Sequence, residues 1–178
     1  YHCRHLKGIN FSKLTKKAAR LGSYISWFPT ITSKITAGES FLSKEWKISQ
    51  SFTKLPIKIT IPGPMTISDN TSNEHYSDSK TMGIDLGNAI NIEIKRLVDA
   101  GCKYIQVDEP LFARKPHEAI NYGIDNLERC FHGCSKEIVK IVHMCCGYPD
   151  KLDAVNYPKA PLESYWKISE ALNNSTID

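Results

Sequence analysis

Three short β-branched runs, each closed by polar or turn-forming residues, constrain this fold more than any other feature. Residues 56–61 (P-I-K-I-T-I) alternate and then break at Pro62-Gly63-Pro64. Residues 104–107 (Y-I-Q-V) run into Asp108-Glu109-Pro110, and residues 138–142 (I-V-K-I-V) run into His143-Met144-Cys145-Cys146 before Gly147 and Pro149. Such runs read as strands stopped by breakers. Between the first two, residues 84–100 place Leu86, Ile90, Ile94, Leu97 and Val98 on one helical face, with Gly101 as the stop. Residues 119–131 and 162–172 read as two further helices, and Thr176-Ile177-Asp178 as the opening of one more strand. Strand starts near 57, 103, 138 and 176 lie 46, 35 and 38 residues apart, a βα rhythm that implies a parallel sheet.

The placement of the chemistry narrows the architecture. Side chains two apart on a strand share a face. Gln106 and Asp108 therefore oppose Ile105 and Val107, and Lys58 and Thr60 oppose Ile57, Ile59 and Ile61. Three consecutive strands that each end in a polar cluster favour a (β/α)8 barrel, whose sites gather on that face, over a doubly wound sheet with a single crevice. A whole barrel needs ~250 residues, so a chain of 178 is expected to be a single domain forming part of a TIM barrel. Its motifs fall within residues 55–178.

The first fifty residues carry less signal. Residues 14–21 (L-T-K-K-A-A-R-L) read as one or two helical turns closed by Gly22, residues 25–35 as loop and short strand, and residues 41–52 as a short amphipathic helix. Residues 68–82 are polar and Asn/Ser-rich and read as a surface loop with room for a short helix.

Composition excludes several classes. The 23 basic and 19 acidic residues are dispersed, which points away from nucleic acid. No apolar run approaches the ~18 residues of a membrane span, and no signal sequence opens the chain, so a cytoplasmic protein is expected. The six cysteines have no disulfide-like spacing and read as cytosolic thiols. Among them His143 and Cys145 stand out. Residues two apart at a strand end project together, and an imidazole beside a thiolate is half of a tetrahedral zinc site. By the same parity Cys146 points away and Glu109 faces the helices. Cys130 and Cys134 have no accompanying ligand pair, and His117 and His132 read as solvent-facing.

The motifs I-P-G-P-M-T-I (61–67), Y-I-Q-V-D-E-P (104–110) and V-H-M-C-C-G-Y-P (142–149), in this order, resemble the catalytic barrel of cobalamin-independent methionine synthase. Phrases like F-A-R-K-P (112–116), Tyr157-Lys159-Ala160 and Ser164-Tyr165 are similar to its short, single-barrel branch, within the methionine synthase/uroporphyrinogen decarboxylase-like group of barrels. The resemblance implies zinc-dependent methyl transfer from 5-methyltetrahydrofolate polyglutamate to homocysteine, with His143 and Cys145 as zinc ligands and Asp108 on the substrate ammonium. The family's remaining ligands, a Glu after the next strand and a later Cys, and its proton-donating His would lie beyond Asp178. Its N-terminal I-G-S motif is not found. Folate-using members carry a Trp where this chain has Asn70 and a Glu where it has Arg114, which leaves a corrinoid or other methyl or alkyl donor open. A non-catalytic, truncated barrel is the remaining alternative. The resemblance implies no particular oligomeric state.

Overall fold

A computed structural model describes residues 1–19, 24–147, 153, 156–157 and 159–178. Two three-stranded sheets share one apolar core. The parallel sheet, in the order β3-β5-β6, consists of β3 (Lys58–Pro62), β5 (Tyr104–Asp108) and β6 (Val139–His143). These are the three strands read from the sequence, and the pairing is parallel throughout. Ile105 and Val107 are fully buried, whereas Gln106 and Asp108 are half-exposed on the other face. Each fully buried aliphatic of this kind contributes about 1.5–3 kcal/mol relative to an exposed one.

Behind the sheet lies helix α3 (Ser79–Ala100), which buries Leu86, Ile90, Ile94 and Leu97 as its periodicity requires. It starts before residue 84 because Asp78 provides a cap, accepting hydrogen bonds from the Thr81 N–H and hydroxyl, both at 2.8 Å. It ends at Gly101, whose φ of 108° permits a left-handed turn that donates to Val98 O. The predicted helix α1 (Leu42–Ser51) is present and presses Leu42 and Trp46 into the core.

Several expectations need correction. Residues 14–21 are not helical where described: β1 (Leu6–Ala19) is a 14-residue strand, while Gly22 lies outside the described residues. Residues 25–35 belong to an equally long strand, β2 (Tyr24–Ala37), antiparallel to β1. Helix-forming Lys and Ala residues are overridden here by pairing, which sets Ile9 opposite the fully buried Ile31. The register slips beside Gly8, whose φ of 94° and close approach to Lys34 O leave no room for a side chain. Residues 68–82 hold more than a loop with a short helix. Helix α2 (Pro64–Asp69) reaches into them, β4 (Ser72–Asn73) adds in parallel to β2, and α3 has begun by residue 79.

The expected helix over 119–131 is broken into parts. After α4 (Leu111–Arg114), the short α5 (Pro116–Glu118) leads through a π-helical turn (Ala119–Gly123) into α6 (Ile124–Cys130). The widened turn lays Gly123 against Met65 and Phe112, where a β-carbon would come within 2.6 Å of the Met65 sulfur. Helix α7 (Leu162–Asn173) matches its expected span. Residues 176–178 are not a strand, yet the Asp178 N–H donates to Lys140 O at 3.0 Å along the outer edge of β6.

Candidate active site at the strand termini

Parallel register places Pro62 beside Asp108 and Asp108 beside His143. The ends of three consecutive strands thus lie at one level. Residues paired in this way project from the same side of a sheet, so Asp108 and His143 share the face opposite the helices.

A chain of polar contacts leads to Asp108 along that face. Lys58 Nζ donates to Gln106 Oε1 at 2.5 Å, and Gln106 Nε2 donates to Asp108 Oδ1 at 2.7 Å. The lysine fixes which end of the Gln106 amide carries oxygen, so the amide N–H is turned to the carboxylate. Among the described residues no hydrogen bond is made to Asp108 Oδ2. Burial lowers the pKa of His2, and the N-terminal ammonium lowers it further, while Glu45 and Asp108 act to raise it.

Glu109 faces the helix layer, as strand parity requires, and is completely buried. Its carboxyl group accepts from the N–H groups of Met65 (2.9 Å) and Thr66 (3.0 Å), and one of its oxygens lies 2.9 Å from the Thr66 hydroxyl. Burial pushes its pKa up to about 8 against the pull of those donors. The Thr66 hydroxyl also reaches Asp108 O at 2.8 Å. A hydroxyl has one proton for these two acceptors. A protonated Glu109 resolves the conflict by donating to Thr66 while Thr66 donates to Asp108 O.

His143 closes β6, and Cys145 follows two residues later; both are half-buried. Cys146 is half-buried as well and accepts the Ala160 N–H at its carbonyl. Burial raises the pKa of Tyr165 on α7, and charge on Cys146 and Cys145 acts in the same direction, while Arg114 opposes it. The Arg114 Nε is buried without a hydrogen-bond partner among the described residues. Asn70 is exposed and turns its side-chain amide to Thr66 O at 2.8 Å.

Imidazole and thiolate suit zinc, and His143 and Cys145 carry those donor types. Among the described residues no group of three or more His, Cys, Asp or Glu side chains could hold a metal. Cys130 is buried, bonds to Asn126 O and has its pKa pushed well up by burial, so it is a poor ligand. His117 and His132 are exposed, as expected. No described helix is long and apolar enough to cross a membrane.

Comparison with known proteins accords with this geometry. Residues 1–146 match the family model of the cobalamin-independent synthase catalytic domain. The methionine synthase of Saccharolobus solfataricus is 40% identical over 121 residues, 67% of this chain and 35% of that protein. That of Sulfolobus acidocaldarius is 34% identical over 166 residues, 84% of this chain and 48% of that protein. A B12-independent methionine synthase from Shewanella sp. W3-18-1, solved with selenomethionine, superposes with a TM-score of 0.86 at 29% identity, over 99% of this chain and 52% of that one. A second likeness, to a vitamin-B12 independent methionine synthase from Listeria monocytogenes described as putative, has a TM-score of 0.64 at 18% identity over 80% of this chain and 44% of that one, and speaks to the fold alone. The chain spans about a third to a half of the length of these relatives, and its fold is accordingly part of a TIM barrel. By its matched residues and its fold, the chain belongs to the cobalamin-independent methionine synthase family and corresponds to part of that family's catalytic domain.

Proposed function

We propose that this chain supplies part of the active site of a zinc-dependent homocysteine methyltransferase, with His143 and Cys145 as two zinc ligands and Asp108 as the substrate-ammonium site. The observation that carries this reading is the common level of Asp108 and His143 on neighbouring parallel strands, with Cys145 two residues beyond. The Shewanella relative, solved with selenomethionine, supports a methionine-shaped ligand. When bound, zinc would keep the substrate sulfur as a thiolate at neutral pH. Asp108 holds the amino group, which sets the sulfur's reach from the strand ends. In the transfer the sulfur forms a bond to the methyl carbon, the N5–methyl bond of methyltetrahydrofolate breaks, and N5 takes a proton. Nothing among the described residues fills the proton-donor role or the other two ligand positions, so the 178-residue chain alone is expected to bind zinc weakly and to turn over no substrate.

A second reading concerns the donor. Asn70 spends its amide on Thr66 O, and Arg114 offers an unpartnered Nε. A cationic side chain there favours an anionic or corrinoid carrier over a neutral pterin edge. Titration of the chain with Co2+ tests the ligand pair. A thiolate-to-metal charge-transfer band that is lost in both His143→Ala and Cys145→Ala supports the pair. A band that survives either change refutes it. Methyl transfer by the isolated chain would overturn the expected inactivity.

A further inference from the structure

We infer that Glu109 is a positioning residue that clasps the termini of all three parallel strands and so sets the spacing between Asp108 and the His143–Cys145 pair. The inference rests on the proposed roles of those residues. Glu109 touches each strand end through a different group. Its carboxylate holds Met65 and Thr66, the first turn after β3. Its backbone N–H donates to His143 O at 2.9 Å, at the end of β6. It follows Asp108 in the chain, and the Asp108 carbonyl is held between the Gly63 N–H (2.9 Å) and the Thr66 hydroxyl (2.8 Å).

An ordinary buried acid with a capping role would secure one helix. Glu93 does this on the other side of the molecule, where its carboxylate accepts the Phe41 and Leu42 N–H groups at the start of α1. Glu109 differs because its side chain holds the first turn of α2, which follows β3, while its main-chain N–H bonds to the end of β6. Gly63 belongs to the same device. A β-carbon there would come within 2.3 Å of Glu109 Oε1, so glycine is what lets the carboxylate reach the turn. Displacement of the carboxylate frees the α2 turn from β5 and loosens the Asp108 carbonyl, the anchor of the candidate substrate group. The strand level that aligns Asp108 with His143 then rests on sheet pairing alone.

The test uses Glu109→Gln and Thr66→Val in the 178-residue chain, with Leu97→Ala at the opposite end of the core as a control for destabilisation alone. Two quantities are read: amide hydrogen exchange at residue 109, and Co2+ affinity through the Cys145 charge-transfer band. The expected result is faster exchange at residue 109 in both clasp variants and roughly a tenfold loss of Co2+ affinity, the scale on which support beyond the ligands acts. Leu97→Ala should lower the melting temperature without either change. Native exchange at residue 109 in both clasp variants would overturn the inference, as would equal effects in Leu97→Ala. If the unsubstituted chain shows no charge-transfer band, the metal-ligand reading fails. The clasp is then decided by exchange at residue 109 alone. Thr66→Val keeps the test decisive if Glu109→Gln does not fold.

Discussion

The two sheets of this molecule obey different rules. In the parallel sheet the apolar positions of β5 are fully buried, its polar positions share the open face, and every strand ends at chemistry. In the β1–β2 hairpin the register slips twice, and large apolar side chains such as Trp27 and Ile25 stand mostly exposed. In the proposed site one sheet needs exact levels, because Asp108 and His143 sit on neighbouring strands. The other can tolerate irregularity, since no candidate site residue has been traced to its strands. Sensitivity to substitution should follow this division.

The largest effect is expected beside the parallel sheet. Phe112, fully buried next to the π-helical turn, should cost about 3–5 kcal/mol when replaced by Ala, measured by urea unfolding. A loss below 1 kcal/mol would show that this side of the core repacks as easily as the hairpin. Gly63→Ala comes next. Its added methyl displaces Glu109 and should cost about 1–3 kcal/mol as overpacking, with a matching fall in Co2+ affinity; unchanged affinity would separate the turn from the site. Asp78→Asn should abolish an acid-side dependence of stability. Hydrogen bonds from Thr81 hold the Asp78 pKa below its ordinary value, so its contribution is present above the unfolded pKa and fades as pH falls through the folded one. The native chain should therefore lose some stability below the ordinary aspartate range, and the variant should lose less. Trp27→Ser should be the mildest, within about 0.5 kcal/mol either way. A larger loss would mean that the exposed hairpin face is covered in solution and would blur the contrast between the sheets.

The same contrast explains what could be read in the sequence. The parallel strands announce themselves through β-branched runs of period two and abrupt breakers, and His143 and Asp108 fall at their ends, where parity alone assigns a face. The hairpin does not announce itself. Residues 14–18 carry Leu, Lys and Ala, which favour helix in isolation, and only pairing with β2 makes them extended. Pro29 sits inside β2, where a central strand would reject it, and this also obscured the strand. The π-helical turn has no local signature, being fixed by the packing of Gly123 on Phe112 and Met65. The direction of Glu109 was legible from alternation, but its bonds to Met65, Thr66 and His143 were not, since they join segments 34 to 44 residues apart in the chain.

The two buried acids also bear on how the chain assembles. Neither α1 nor α2 has a side-chain cap of its own. Each is started by a carboxylate more than forty residues downstream, Glu93 for one and Glu109 for the other. A helix begun in this way gains little until the distant residue arrives, so the cost of closing that loop comes before the reward. During synthesis from the N-terminus, α1 has to wait for α3, and α2 for β5. Helices that look local in the finished fold thus settle only after a distant segment has arrived.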